Sequence, residues 1–479
     1  MKNTYTTPGL DIEEIMQNAT LAAEHFATYS QEETDKIVAA VYRAGFNNRI
    51  RLAKMAYEET KLGRWEDKAR KNTIATRFVY EDIKDRKTVG VVAESDYITE
   101  IARPLGPVFC ITPITNPTST VLFKILIALK TRNPIIIRPH GAAKKCSNEA
   151  ARICYEAALE AGAPENCIQW IPRSTQEETI RMMGHKKVAL VLATGSVSLV
   201  RAAYHSGNPA IGVGPGNVPV YIGKSANVEL AVDQILHSKL FDYGTVCASE
   251  QAVVVSSNNA ENVREEFRWR KAYFLNEEEK IKVGKIAINQ SDRVMNAEVI
   301  GQPAWKIAKM AGIDVPEDTS VLIAEYQKDQ VGFDYPLSLE ILAPILAFYE
   351  VGSFREGIEM CRKINKMGGL GHTVSIFSND EEKIKEFATI MNAGRILVNT
   401  PASQGALGGT FNMLQPSMTL ACGSGGKNIT TDNISVQHLL NIQRIARRRV
   451  NTCVTCDHLS CSDESVDADL IRVKCEKQF

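Results

Sequence analysis

The sequence predicts an α/β protein built on a doubly wound parallel sheet, and three observations carry that prediction. From residue 108 onward, short apolar runs alternate with amphipathic stretches of helical length. A second α/β region, from about residue 236 to 423, repeats the alternation. The 479 residues exceed what one ordinary core holds, so two or three domains are expected. Right-handed crossovers then gather the loops that follow the strands on one sheet edge, where nucleotides bind.

The elements follow in order. To about residue 60 the chain reads as helices. Asp11 with Glu14 resembles a capping box, and Ile12, Ile15, Met16, Ala19, Ala23 and Phe26 fall at helical spacing. Ser30 with Glu33 repeats the cap, and Ile37, Val41 and Ala44 continue one face, a pattern that packs on a core. Residues 107–112 read as a strand, 119–130 as a helix, 134–138 as a strand and 143–161 as a helix. Residues 168–171 and 188–192 read as further strands, and 197–205 as a helix. In the second region, 251–255, 345–349 and 374–377 are strands and 382–391 is a helix. After residue 442 a basic run, Arg444 and Arg447 to Arg449, leads into a polar, acidic tail.

Lys plus Arg and Asp plus Glu number 56 each, so no net charge draws the chain to nucleic acid or an anionic membrane. Residues 1–10 lack the apolar segment of a secretory signal. The apolar run 121–129 is broken by Lys124 and falls short of the ~20 residues of a membrane helix. A cytoplasmic location is the expectation. Of 11 cysteines, seven are scattered singly, as buried small residues are, and a disulfide framework is not expected. Cys453, Cys456, His458 and Cys461 have metal-ligand character, but their spacing is tighter than common zinc patterns. The tail reads as a solvated appendage, and no metal is expected.

Four segments carry candidate chemistry. In FDYGTVCASEQ, 241–251, small residues surround Cys247. Alone, such a cysteine packs in a core, whereas a reactive thiol needs access and a depressed pKa. In TPITNPTS, 112–119, Asn116 either aims an amide N–H at a developing oxyanion or caps a helix that opens with Pro117. ATGS, 193–196, leads into a helix whose N-terminus suits a phosphate. GVGPGN, 212–217, is dense in glycine but runs into a strand, so it is not a G-x-G-x-x-G fingerprint. GGLGHT, 368–373, places His372 on a glycine-rich turn, as a general base or an idle loop residue.

In this order, and with TNPTST, LKTRN, PH, PAIGVGPGN and NTPASQG, these segments resemble the aldehyde dehydrogenase superfamily over about residues 11–449. The resemblance is to its CoA-acylating branch. It includes acetylating acetaldehyde dehydrogenases, the N-terminal half of bifunctional aldehyde-alcohol dehydrogenases and acylating succinate-semialdehyde dehydrogenases. It implies an aldehyde dehydrogenase-like fold. An NAD(P)/CoA-binding domain would span 11–234, with an oligomerisation excursion at 97–106. A catalytic domain would span 235–426. An oligomerisation segment at 428–449 would pair with the excursion in a partner subunit, and 450–479 forms the Cys-bearing tail. A homodimer or higher homo-oligomer is implied by analogy. With no iron-type alcohol dehydrogenase domain following, the stand-alone form is expected.

The resemblance also implies roles. Cys247 is the nucleophile, and Asn116 with the Cys247 backbone N–H matches the oxyanion hole. Hydride transfer to the nicotinamide leaves a thioacyl enzyme. Glu340 matches the carboxylate that holds the nicotinamide ribose. Arg138, Pro139 and His140 match the adenosine-side loop, and Gly195, Ser196 and Gly214 line the pyrophosphate and nicotinamide. Hydrolytic relatives use a glutamate in E-L-G-G-K, but residues 213–217 here hold no carboxylate. Coenzyme A therefore takes the acyl group, with His372 helping, and NAD (NADP as the alternative) is the cofactor. Acetaldehyde is the expected substrate. Tyr243, Thr245 and Gly425 depart from the branch pattern, which keeps succinate semialdehyde and sulfoacetaldehyde as alternatives. A hydrolytic aldehyde dehydrogenase is the rival enzyme, followed by a phosphate-releasing semialdehyde dehydrogenase. A catalytically dead scaffold is opposed by the intact Asn116, Cys247, His372 and Glu340, and a microcompartment cargo protein by an N-terminal helix that runs straight into the domain without a detachable peptide and linker.

Overall fold

A computed structural model describes residues 11–447, apart from 290 and 292. The tail from 450, with its cysteines and His458, lies outside the described residues. Helices Ile12–Phe26, Gln31–Asn47, Arg49–Thr60 and Trp65–Thr73 open the chain. A π-turn, Ile74–Phe78, continues into Val79–Ile83. Ser30 and Glu33 form the full capping box, whereas Asp11 makes only the one-sided cap, accepting from the Glu14 N–H. Helices thus run past residue 60, where the sequence reading stopped. The reason is that helix Trp65–Thr73 buries Asp67, Lys68, Lys71 and Asn72, not an apolar stripe.

Strands β1 (Gly90–Glu94) and β2 (Ile98–Pro104) follow. Next come β3 (Val108–Ile111), β4 (Ile135–Arg138), β5 (Ile168–Trp170), β6 (Leu190–Thr194) and β7 (Ala210–Val213). These five form one sheet in the order β5-β4-β3-β6-β7, parallel throughout. The winding reverses between β3 and β6, so the loops after these two strands meet at a topological switch point. Helix Pro117–Lys130 joins β3 to β4 and is buried on every side. Its Lys124 is satisfied by the Ile111 and Leu192 carbonyls and Thr194 Oγ1 at 3.0–3.1 Å.

The second sheet begins with β8 (Val218–Ile222), β9 (Glu250–Ser256) and β10 (Tyr273–Phe274). A small hairpin of β11 (Ile288–Asn289) and β12 (Val294–Met295) intervenes. Then come β13 (Leu322–Glu325), β14 (Ile345–Val351), β15 (Gly371–Phe377) and β16 (Ala393–Val398). The order is β10-β13-β14-β9-β8-β15-β16, again parallel. Because β8 pairs with β9 and β15, the two sheets divide between Val213 and Val218, not near residue 234. Helix Val228–Leu240 accordingly packs Ala231, Val232, Ile235 and Leu236 on this second sheet.

A third sheet, antiparallel, has the order β1-β2-β17, with β17 at Leu440–Ala446. The excursion and the C-terminal segment pair within the one chain. β2 is the central strand, and its backbone groups are spent on β1 and β17. Among the described residues no helix is long and apolar enough to cross a membrane. Among them, too, no three His, Cys, Asp or Glu side chains converge as a metal site.

Candidate active site

Cys247 follows the 3-10 turn Phe241–Gly244 and precedes β9. Asp242 and Tyr243 both have φ of 50°, a left-handed conformation that costs a bulky residue. The Asp242 side chain pins this turn. Its Oδ2 accepts from Lys68 Nζ (2.9 Å), Lys71 Nζ (2.6 Å) and Thr245 Oγ1 (2.8 Å). Its Oδ1 accepts from the Arg64 N–H at 2.7 Å, and its own N–H donates to Asp67 Oδ2 at 3.0 Å. Burial alone would raise the Asp242 carboxyl, but Lys68 and Lys71 hold it below its ordinary value. The turn delivers Cys247 to a cavity of about 30 Å³ at the switch point of the first sheet. Pro113, Val213, Val246, Leu407, Met418 and Leu420 form its apolar wall, and Asn116, Thr120, Thr194 and Cys247 its polar part.

On one flank of Cys247 stands His372, with Nε2 3.2 Å from the sulfur. The imidazole is not on a turn, as the glycines suggested, but on the second residue of β15, fully buried. The glycines serve close approach instead. At Gly371 (φ 82°) a Cβ would lie 1.8 Å from the Cys422 carbonyl oxygen. At Gly216 it would lie 2.3 Å from the Cys247 carbonyl oxygen and 3.2 Å from His372 Cγ. His372 Nδ1 sits 2.9 Å from Thr373 Oγ1. The buried Arg395 donates through Nη2 to the His372 and Ala421 carbonyls, each at 2.7 Å, and through Nε to Thr373 Oγ1 at 3.3 Å.

Burial pushes the Cys247 thiol up to about 12, with Glu340 and Cys422 adding and Arg395 opposing. Burial, helped by Arg395, drops His372 to about 3. The resting pair is therefore neutral thiol and neutral imidazole. The low-dielectric site penalises both charges of a thiolate–imidazolium pair.

On the other flank stands Asn116. It directly precedes helix Pro117–Lys130, with Pro117 in the first turn, but its side chain makes no capping bond. Nδ2 donates to Thr115 Oγ1 (3.0 Å) and to the Thr245 carbonyl (3.3 Å), while Oδ1 accepts from Lys71 Nζ (2.7 Å). The helix-start position and the site position are thus the same residue, with the amide free of capping duty.

Glu340 lies one loop away. Its Oε1 accepts from the Gly216 N–H at 2.8 Å, and burial lifts its carboxyl to about 7. Gly214, in the same loop, faces open space. Gly195 and Ser196 follow β6. Ser196 accepts from the Leu199 N–H at 3.3 Å and caps helix Val197–Tyr204, and residues 196–198 are exposed. Arg138, Pro139 and His140 end β4 on the same sheet edge. Arg138 Nε donates to Ser174 Oγ (3.2 Å), and His140 Nδ1 accepts from the Ala142 N–H (3.2 Å). The structure thus brings Cys247 and Asn116 to one cavity, and His372 contacts the Cys247 sulfur without lining that cavity. Glu340 and Gly214 stand beside it, and the other five residues lie along the strand ends.

Of the three departures from the branch pattern, Thr245 is buried against Asp242 and Lys71, and Tyr243 is half-buried. Gly425 abuts Asn392, Gly371 and Leu370. None of them lines the cavity. Sequence reasoning missed Lys68, Lys71, Asp242 and Arg395. A signal existed for Arg395, a lone cation in the apolar strand AGRILV, and for two lysines spaced i, i+3 on helix Trp65–Thr73.

Residues 3–412 match the aldehyde dehydrogenase family. The chain is 42% identical over 447 residues to the bifunctional aldehyde-alcohol dehydrogenase AdhE of Escherichia coli (strain K12), covering 92% of this chain and 50% of that protein. It is 34% identical to the succinate-semialdehyde dehydrogenase (acetylating) of Clostridium kluyveri, covering 91% and 95%. A crystal structure of an acetylating aldehyde dehydrogenase from Geobacillus thermoglucosidasius superposes with a TM-score of 0.88 at 48% identity, covering 91% and 96%. The chain spans about half the length of the aldehyde-alcohol dehydrogenases it matches.

Proposed function

The chain belongs to the aldehyde dehydrogenase family, and from that premise we propose that it is a CoA-acylating aldehyde dehydrogenase acting on acetaldehyde. The reaction is aldehyde + NAD⁺ + CoA ⇌ acyl-CoA + NADH + H⁺. The observation that carries the acylating reading is the 213–217 loop. Val213 puts methyl groups in the cavity wall, and Gly216 packs its backbone on Cys247, so this loop holds no carboxylate to activate water. A thiol co-substrate needs less activation than water. The relatives named as acetylating enzymes support the same reading.

The chain's own groups perform the acyl chemistry. His372 Nε2, in the Nδ1–H tautomer, accepts the thiol proton as Cys247 Sγ adds to the aldehyde carbon. Asn116 Nδ2 and the Cys247 N–H stabilise the oxyanion of the thiohemiacetal. Ser196 and the exposed N-terminus of helix Val197–Tyr204 fit a pyrophosphate, since the first amides of a helix have no internal acceptor. Arg138, Pro139 and His140 would hold the adenosine side, and Glu340, Gly195 and Gly214 the nicotinamide side. A nicotinamide held there would supply the hydride acceptor, so that the acyl group would remain on Cys247 as a thioester. His372 passes the Cys247 proton on to solvent and returns to the neutral form that burial favours; it then takes the proton of the incoming CoA thiol and gives it to the Cys247 sulfur as that leaves the thioester.

The cavity favours an uncharged aldehyde. None of the described residues lining it is an Arg or Lys that would pair with a succinyl or sulfonate group. NAD is the proposed cofactor. A cytoplasmic location fits a catalytic thiol accompanied by six other free cysteines among the described residues. Self-association is proposed through the third sheet, where Val91, Ile98 and Ile445 are exposed. Light scattering on purified protein reads that part directly.

The test of function is NADH formation across a panel of aldehydes, with and without CoA, and with NADP⁺ exchanged for NAD⁺. Acetaldehyde with CoA and NAD⁺ is expected to give the highest kcat/KM, and Cys247→Ala no activity. Sustained NADH formation without CoA, yielding free acid, would overturn the acylating reading. A higher kcat/KM for succinate semialdehyde would overturn the substrate.

A further inference from the structure

We propose that Lys71 is a positioning residue that fixes the amide orientation of Asn116 and thereby sets the oxyanion-stabilising face of the Cys247 cavity. The inference rests on Asn116 acting as the oxyanion donor.

The argument is one of donors and acceptors. An ammonium has three N–H donors and no acceptor. Lys71 Nζ spends all three, on Asp242 Oδ2 at 2.6 Å, Asn116 Oδ1 at 2.7 Å and Thr245 Oγ1 at 2.9 Å. Only the oxygen of the Asn116 amide can face it. Flipping the amide would set its NH₂ against the ammonium and its oxygen against the Thr245 carbonyl, which also only accepts. Lys71 therefore forces Nδ2 away from itself and toward the Thr245 carbonyl, two residues before Cys247, with which Asn116 lines one cavity. It also withdraws electron density from the amide oxygen, which makes the amide N–H a stronger donor. In the free chain the longer Nδ2 bond, 3.3 Å to Thr245 O, is the one that yields to an oxyanion.

The cation is itself built in. Lys71 is 1% exposed and Asp242 fully buried. Asp242 is anchored in turn by Lys68 and the Arg64 N–H, so Lys71 has no freedom to swing away. Lys68 shares Asp242 but reaches the Thr115 carbonyl at 3.3 Å instead of Asn116. Two lysines on one carboxylate thus have different reach, and only Lys71 touches the amide.

The test uses two reagents on the full chain. With p-nitrophenyl acetate, Cys247 Sγ forms the new C–S bond, the C–O bond to nitrophenolate breaks, and the thiol proton passes through His372 to solvent. This step passes through an oxyanion and needs neither nicotinamide nor CoA. Iodoacetamide alkylates the same sulfur with loss of iodide and develops no oxyanion. Asn116→Ala is expected to slow the nitrophenolate burst about 100-fold and Lys71→Met about 30-fold. The double variant should be no more than about threefold slower than Asn116→Ala alone, because Lys71 acts through Asn116. Alkylation of Lys71→Met should stay within about threefold of the unsubstituted chain.

Losses that multiply in the double variant, or an equal fall in alkylation, would overturn the proposal. So would an unsubstituted chain that is alkylated but shows no burst, since no oxyanion site would then exist. If Lys71→Met does not accumulate as folded protein, Lys71→Gln carries the same cycle with the same expectation. Coupling in the burst without CoA-dependent NADH formation would leave Lys71 in its role and sink the proposed function. NADH formation without coupling would sink only the role of Lys71.

Discussion

On one side of Cys247 stand His372, Thr373 and Arg395; on the other stand Lys71, Lys68 and Asp242. Both groups are buried, yet they treat charge in opposite ways. The histidine side keeps its reacting groups neutral, with His372 down at about 3 and Cys247 up at about 12. The lysine side keeps its charges and pays desolvation with direct ion pairs, Lys68 and Lys71 to Asp242 at 2.9 and 2.6 Å. The difference follows from the tasks. A proton that must move back and forth is best held between groups that return to neutrality. A charge that must stabilise an oxyanion has to be in place before the oxyanion forms.

The largest expected effect breaks the histidine side. His372→Ala should slow acylation by acetaldehyde about 1,000-fold, the scale of a lost general base. The pH dependence shows its cause. Above pH 3 the wild-type imidazole is free to accept a proton, so alkylation by iodoacetamide should vary little between pH 6 and 9. In the variant only thiolate reacts, and with the thiol held up at about 12 the rate should climb about tenfold per pH unit over that range. Stopped-flow alkylation at several pH values reads this, and a flat profile in the variant would remove His372 as the base.

The lysine side should fail at the other end of the pH scale. Burial lowers Lys71 to about 8, against the opposing pull of Asp242 and Asp67 and with Lys68 adding a like charge. The cation is present below about pH 8 and is lost above it. A neutral amine has a lone pair and no longer forces the Asn116 oxygen to face it. Acylation should fall about tenfold between pH 7.5 and 9.5. Lys71→Arg keeps its charge throughout and should lose that alkaline limb, whatever its absolute rate. The two flanks then separate cleanly, since only one of them titrates in this window.

The same contrast explains what the sequence could and could not tell. The central strands of both sheets were legible because a parallel strand covered on both faces is a continuous apolar run, as Val253, Val254 and Val255 of β9 show, whereas β7, β10, β13 and β16 were not read as strands. Cys247, Asn116 and His372 were singled out by the order of their motifs, since each string alone also reads as packing, a helix cap or an idle loop. Helix Trp65–Thr73 was not, since its buried face is Asp67, Lys68, Lys71 and Asn72, which reads as a solvated surface. A buried ion pair 171 residues apart in sequence, such as Lys71 with Asp242, leaves no periodicity to find. The boundary near residue 234 missed for a related reason: β8 looks like a continuation of β7, and only its pairing assigns it to the second sheet.

The smallest effect tests how finely the histidine side is tuned. Thr373 Oγ1 stands 2.9 Å from His372 Nδ1 and accepts from Arg395 Nε at 3.3 Å. With that proton from Arg395, the oxygen keeps one lone pair for an Nδ1–H, and it is the tautomer that uses it which leaves Nε2 bare toward Cys247. Thr373→Val keeps the shape and removes the acceptor. The two imidazole tautomers then become closer in energy, and acylation should drop about threefold to tenfold. The buried Arg395 Nε loses its partner as well, at a cost of about 1–3 kcal/mol that a lowered melting temperature would show. Thr373→Ser restores the hydroxyl and should recover the rate. If valine slows acylation and serine does not rescue it, the threonine acts by packing, and the tautomer of His372 is set by the protein around Nε2.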